Sequence, residues 1–415
     1  MILFFMNSRY KGVRDFYPEE KRIQNYIFEI WRKNALRFGF EEIEPPILEP
    51  LELYIKKSGE EIEKQIYTLV DKAGRKLALR PETTPSIVRM ISQRKDLTKP
   101  IKWFSISRCF RYERPQAGRL RSFFQFNLDT IGSESMLAEA EIINVVVNVL
   151  KDFKVANDCV IKINSRKIME EAFKNIGIKN VQLLYSIIDK RYKLTKKEFE
   201  NLLKKAAKDK FSKIKELLDS NLKEISKFAD NTELIDLFRY LKAFGVAKFC
   251  EFDPCIVRGL AYYTSTVFEV YDKEMTFRAL AGGGRYENLI ASISSNAEKI
   301  PGVGFGMGDV VLELFLRSKN KIPKFKKEVD FYIASISKEC LEAGVKLVNK
   351  LPGIVEIDLM QRTLAKQLEY ANKINAKNAI IIGPKDLSKN KVTIKNMKTG
   401  KEKKVSIKDI TKLKR

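Results

Sequence analysis

Three patterns in the chain predict an α+β fold: an antiparallel β-sheet domain broken by a helical insertion, followed by a small α/β domain. Paired alternating segments come first, with KQIYTLVDKAGRKLALRPE turning near Ala73-Gly74 and IKWFSISRCFRYE pairing with QFNLDTIG across a longer loop. From about residue 165 to about residue 247 the period lengthens into lysine-rich helices such as KKEFENLLKKAAKDKFSKIKELLDSNLKEISKF, after which sheet-like sequence resumes. Beyond about residue 327 strands and helices alternate, as in a domain with its own core.

Taken in order, Pro18 to Phe38 places Ile23, Tyr26, Ile27, Ile30 and Trp31 at helical spacing, with Glu19 and Glu20 in the first turn and Gly39 past the end. FEEIEPPILEP reads as a proline-punctuated strand, and Glu134 to Phe153 as an apolar helix packed on the sheet formed by the hairpins. CIVRGLAYYTSTVFEVYD returns to strand alternation. EMTFRALAGGGRYENL reads as a strand entering a glycine-rich turn, and IPGVGFGMGDVVLELFLRS as strand, tight turn and helix. Polar KNKIPKFKK is a linker, after which VDFYIASI, KECLEAGVKLVNKL, IVEIDL, TLAKQLEYANKI, NAIIIGP, KVTIKNM and KKVSI alternate strand and helix before a closing strand pair. The expected division is 1–164 and 248–320 for the two parts of the sheet domain, 165–247 for the insertion and 328–415 for the last domain.

Composition narrows the chemistry. Across 415 residues, 78 Lys and Arg face 53 Asp and Glu, a net charge of +25 that suits a polyanionic partner, although a lysine-biased composition alone would give the same excess. The absence of histidine excludes Ser-His-Asp triads, Cys-His pairs, imidazole bases and His-ligated metals, leaving arginine, carboxylates, tyrosine and ions. Cys109, Cys159, Cys250, Cys255 and Cys340 are scattered and odd in number, so neither a disulfide framework nor a structural metal is expected, and a reducing cytoplasm fits. The apolar run Met1 to Met6 lacks a basic leader and is too short for a signal peptide or membrane helix, so no membrane association is expected.

The densest cluster is SRCFRYERPQAGRLRSFFQ, in which Arg108, Arg111, Arg114, Arg119 and Arg121 crowd a Pro-Gln-Ala-Gly loop beside Glu113 and two phenylalanines. Guanidinium forks bind phosphate oxygens bidentately and aromatic rings stack on bases, so the segment suits a nucleoside triphosphate; a solvated basic hairpin is the other reading. AGGGR at 281–285 and GVGFGMG at 302–308 have neither Walker nor dinucleotide spacing, and such runs let a backbone approach a ligand or another strand closely. In RGLAYYT, strand alternation would send Tyr262 and Tyr263 to opposite faces.

RYKGVRDFYPEE, LRPETTPSIVR, FRYERPQAGRLRSFFQFNLDTIG, VRGLAYYTSTVFEV, AGGGRYENL and VGFGMGD resemble histidyl-tRNA synthetases in order and spacing, and RTLAKQLEYANKINAKNAIIIG resembles that family's anticodon-binding domain. The resemblance implies a class II catalytic sheet of six antiparallel strands, a homodimer, and two steps: L-histidine and ATP, with Mg2+, give histidyl-adenylate, which then acylates tRNA(His). By matched position, it implies catalytic roles for Arg111 and Arg258 at the α-phosphate and attacking carboxylate. It implies that Glu82, Thr84 and Gln125 hold the α-amino group, that Asp129 and Tyr263 bracket the imidazole, and that Thr83 and Tyr262 also belong to the histidine site. ATP would also meet Glu113, Arg121, Phe123 and Arg285, and the tRNA acceptor end a loop bearing Arg114, Gln116 and Arg119. Three positions depart from the pattern: Ala261 stands where members often carry Asp, Asp129 where many bacterial members carry Glu, and Val311 where the third class II motif usually ends in an ATP-gripping arginine. Arg285 and Arg121 are the candidates to replace that arginine. The competing reading is a non-catalytic paralogue resembling the regulatory subunit of ATP phosphoribosyltransferase, against which stand the C-terminal domain and the set Arg111, Gln125 and Arg258.

Overall fold

The computed structural model describes residues 8–55, 64–94, 96–192, 194–257, 262–288, 291 and 300–412. The chain forms two compact units, Met1–Pro323 and Lys324–Arg415. In the first, β1 (Glu41–Glu42), β5 (Ile101–Phe110), β6 (Ser122–Ile131), β7 (Cys159–Ser165), β8 (Cys250–Phe252), β9 (Thr266–Asp272), β10 (Ala281–Tyr286) and β11 (Gly302–Gly308) make an eight-stranded sheet ordered β1-β5-β6-β11-β10-β9-β7-β8. The six strands from β5 to β7 in that order are antiparallel to their neighbours, and β1 and β8 add a parallel strand at each edge. A separate three-stranded sheet holds β2 (Leu48–Pro50), β4 (Lys76–Leu79) and β3 (Tyr67–Val70), in which β3 and β4 form the hairpin that turns at Ala73-Gly74.

FEEIEPPILEP is not one strand. It splits into β1 and β2, which belong to different sheets, because Pro45 and Pro46 have no N–H to give a ladder; the Pro45 carbonyl instead accepts from the Arg80 guanidinium. The glycine-rich segments also differ from expectation. AGGGRY is strand β10 itself and GVGFGMG is strand β11, which runs straight into the helix Asp309–Ser318 without an intervening turn.

One face of the large sheet is apolar. The helix Met136–Asp152, capped by Ser135 accepting from the Leu137 amide at 3.2 Å, buries Ile142, Val146 and Val149 in one core with Phe126, Leu128, Val303 and Met307. The helix Pro18–Arg37 adds Trp31, whose ring stacks 5.5 Å from Phe126 while its indole N–H donates to Met307 Sδ. Between β7 and β8 lie the helices Arg166–Ile176, Val181–Ile188, Lys196–Ala207, Phe211–Leu218 and Thr232–Ala243, the third started by a capping box of Thr195 and Glu198. The second unit has a sheet ordered β13-β12-β14-β15-β16, from Val355–Ile357, Val329–Ser335, Ala376–Ile382, Lys391–Asn396 and Glu402–Ser406. The helices Lys338–Val348 and Leu364–Lys373 pack on it over separate apolar clusters. Among the described residues no helix is long and apolar enough to cross a membrane.

Candidate active site

The other face of the large sheet holds the polar groups, and strand alternation decides which ones. On β6, Phe126 and Leu128 join the apolar core, so Phe123, Gln125, Asn127 and Asp129 point the opposite way. Opposite them on β11 lie glycines: Gly304 is paired with Asp129, Gly306 with Asn127 and Gly308 with Gln125. A Cβ on Gly304 would collide with Asp129 Oδ1 and one on Gly306 with Gln125 Nε2, so the bare strand makes room for long polar side chains lying across it.

Those side chains line a cavity of about 150 Å³ with Glu82, Thr84, Arg111, Tyr262, Tyr263 and Tyr286. Tyr286 donates to Asp129 Oδ1 at 2.7 Å, while Asp129 Oδ2 is buried without a hydrogen-bond partner among the described residues. Burial pushes the Asp129 carboxyl up to about 7; Glu82 adds to the rise and the Tyr286 hydroxyl opposes it. Tyr262 donates to Glu82 Oε2 at 3.2 Å. The two tyrosines do not take opposite faces: neither lies in a strand, their rings approach to 4.8 Å, and both line this cavity. Thr83 is fully buried beneath it and donates to Asn127 Oδ1 at 2.8 Å, which makes it a support for the wall.

A second cavity of about 560 Å³ shares Arg111, Gln125, Gly282 and Gly306 with the first. Arg111 stands at the junction, its Nε donating to the Pro81 carbonyl at 3.0 Å and its guanidinium 5.3 Å from the Phe123 ring centroid. Glu113, Phe123 and Arg119 line the larger space, with Arg119 3.1 Å from Glu113. Backbone hydrogen bonds between Gln116 and Arg119 close the connecting loop, leaving Arg114 and Gln116 exposed. Val311 lines the larger cavity, while Arg258 and Ala261 lie outside the described residues.

Two candidates do not reach these cavities. Arg121 turns toward the N-terminal segment, donating to the carbonyls of Glu113 and Lys11 and lying 4.9 and 4.6 Å from the ring centroids of Tyr10 and Tyr112. Arg285 alternates to the far face of β10, where Glu139 pairs with it bidentately and the Ser133 carbonyl accepts at 2.9 Å. Among the lining residues that the sequence reading did not single out are Asn127, Tyr286 and Arg278. Asn127 and Tyr286 were discoverable from period two, since they share parity with Asp129 on β6 and with Gly282 on β10; Arg278, on the loop before β10, carried no signal of its own.

Known proteins resemble this chain over nearly its whole length. Residues 12–308 match the family model for histidyl-tRNA synthetase and residues 330–413 that for an anticodon binding domain. The histidine–tRNA ligase of Thermoplasma volcanium is 39% identical over 418 aligned residues, covering 97% of each chain. A crystal structure of histidyl-tRNA synthetase from Nostoc sp. PCC 7120 covers 98% of each chain at 25% identity with a TM-score of 0.81. Another, of an ATP phosphoribosyltransferase regulatory subunit/histidyl-tRNA synthetase from Bacillus halodurans, covers 91% of this chain at 21% identity with a TM-score of 0.75 and shows a shared fold alone. By the matched residues and the near-full-length relative, the chain belongs to the histidyl-tRNA synthetase family, within the class II aminoacyl-tRNA synthetases.

Proposed function

We propose that the chain is a histidine–tRNA ligase, which activates L-histidine with ATP and transfers it to tRNA(His). The observation that carries this reading is the meeting of two cavities at Arg111, a polar one of amino-acid size and a larger one bordered by arginines and Phe123. Imidazole offers one donor and one acceptor, so the open Asp129 Oδ2 takes the ring N–H and the Tyr263 hydroxyl, by family match, faces the other nitrogen. Side chains unable to satisfy both leave a buried group unpaired and are rejected. Glu82, Thr84 and Gln125 hold the α-amino group, which directs the carboxylate toward Arg111.

A carboxylate oxygen then attacks the α-phosphorus of ATP. The new O–P bond forms as the bond to the bridging oxygen breaks, and pyrophosphate leaves with that electron pair; no proton has to move. The demand is for fixed positive charge, which Arg111 meets because the Pro81 carbonyl already holds its guanidinium. Arg258 joins it by family match. Phe123 and Glu113 attend the adenine. Among the described residues no cluster of three acidic or sulfur ligands stands ready for a metal. Glu269, on the cavity lining, would help hold Mg2+ brought in with the triphosphate, and the ion would supply countercharge.

In the second step the acyl group passes to the terminal adenosine of the tRNA, with Arg114, Gln116 and Arg119 at the acceptor end. Residues 1–164 and 248–320 form the catalytic domain, 165–247 the inserted module and 328–415 the anticodon reader, in a cytoplasmic homodimer. The primary test is histidine-dependent exchange of labelled pyrophosphate into ATP. Exchange is expected; its absence from folded, Mg2+-supplied protein favours the regulatory paralogue. Removing residues 328–415 should lower tRNA charging far more than exchange, and equal loss of both would refute the anticodon role.

A further inference from the structure

The position that ends the third class II motif is Val311, and both candidates to replace its arginine are committed elsewhere: Arg121 to the carbonyls of Glu113 and Lys11, and Arg285 to Glu139 across the sheet. Three arginines line the larger cavity among the described residues. Arg111 belongs to the junction and Arg119 is paired with Glu113, so the third, Arg278, is the one left for the missing contact. We infer that Arg278, on the loop between β9 and β10, grips the outgoing pyrophosphate half of ATP in place of an arginine at position 311.

Position and anchoring both support this. A Cβ on Gly118 would meet Val311 Cγ2 at 3.2 Å and Arg278 Cδ at 4.0 Å, so the two side chains flank a single spot on the cavity wall. The loop carrying Arg278 is pinned from below: the Asp272 carboxylate accepts from the amides of Thr276 and Phe277 at 2.9 and 3.0 Å. It is also registered against the helix that bears Val311. Phe277 packs edge-on against Phe315 of that helix at 5.8 Å, and Glu274 lies 3.5 Å from Lys319 just past its end. The helix is itself fixed to the catalytic sheet, since Asp309 accepts from the Phe124 amide at 2.9 Å and pairs with Arg14 at 2.6 Å. Arg278 is exposed on this braced loop and lines the cavity, so its guanidinium is placed to close on a polyanion. The same anion contact has thus moved from the first turn of a helix to a loop across the cavity.

This inference rests on reading the larger cavity as the ATP site, and the test separates the two. In pyrophosphate exchange, Arg278→Ala should raise the KM for ATP roughly tenfold or more, the scale of one lost charge-assisted contact, with the KM for histidine almost unchanged. Arg278→Gln, which keeps the stem, should do the same, confirming that charge is what was lost. The reciprocal measurement is sharper: Val311→Arg in the Arg278→Ala background should recover most of the ATP affinity, whereas Val311→Arg in the parent should change little. Equilibrium binding of Mg·ATP reads the same four proteins independently of turnover. Parental protein that binds no ATP defeats the reading of the cavity. Parental protein that binds ATP with an affinity untouched by Arg278→Ala, or altered equally by Val311→Arg in both backgrounds, overturns the assignment of Arg278.

Discussion

The two cavities share Arg111 and Gln125 but are built in opposite ways. In the smaller one the polar wall is already bonded to itself, through Tyr286 to Asp129, Tyr262 to Glu82, and Thr83 to Asn127. In the larger one the wall mixes glycine backbone, the rings of Phe123, Tyr192, Tyr271 and Phe277, and charged groups of both signs, with Arg111 held by a carbonyl, Arg119 by one carboxylate and Glu269 by the Tyr271 hydroxyl. Prepaired, buried groups discriminate because a wrong ligand leaves one of them unsatisfied. Open, charged surfaces accelerate and attract but discriminate less, and salt screens them. Selectivity for the amino acid should therefore reside in the first cavity and sensitivity to phosphate and ionic strength in the second.

The largest expected effect falls where the cavities meet. Arg111→Ala should cut kcat/KM for exchange by at least about a hundredfold and weaken both substrates, the usual scale for losing one fixed donor to transition-state charge. A loss confined to one substrate would show that the cavities are not coupled through this residue. Next is Asp129→Asn, which should raise the KM for histidine roughly tenfold to a hundredfold and leave that for ATP alone. Gly304→Ala should act in the same direction and also lower stability, because its methyl group would press on both the Asp129 carboxylate and the Leu128 carbonyl. Comparable rises for ATP in either variant would dissolve the distinction.

The third prediction concerns pH. Burial holds Asp129 protonated up to about 7 in the folded protein, against an ordinary value near 3.8, so over that interval the folded state binds the extra proton. Its contribution to stability is fully present below about pH 4 and is lost as pH rises to about 7. Denaturant midpoints of the ligand-free protein should carry this decline, and Asp129→Asn should flatten it; an unchanged slope would place Asp129 in a more hydrated setting. The smallest effect is expected from Phe123→Leu, a rise of a few-fold in the KM for ATP with the histidine KM unchanged, as one stacking surface is replaced by an aliphatic one.

Much of this arrangement could be read before folding, and the failures share a cause. Phe123, Gln125 and Asp129 are separated by two and four residues in one strand, so period two puts them on one face, although it was the family resemblance that singled them out. The same period is present in GVGFGMG, where glycine alternates with Val303, Phe305 and Met307, yet the glycines made it look like a turn. Glycine content suggests flexibility, whereas here its alternation marks a strand stripped on one face so that Asp129 and Gln125 can lie across it. Arg285 was misplaced for the mirror reason: it neighbours the glycines in sequence, but an odd step along β10 delivers it to Glu139 instead.

What the sequence determined by itself was local and periodic: the hairpins, the apolar helix, the lysine-rich helices, the alternating second unit and the residues sharing a strand face. These follow from side-chain spacing, which the covalent chain imposes wherever the element forms. Only the tertiary structure decided which arginine serves which cavity. Arg121 and Arg285 come from the same two segments as Arg111 and Arg278, but long-range neighbours such as Lys11 and Glu139 claim the first pair. Those partners lie more than a hundred residues away, and a guanidinium goes wherever folding brings it an acceptor.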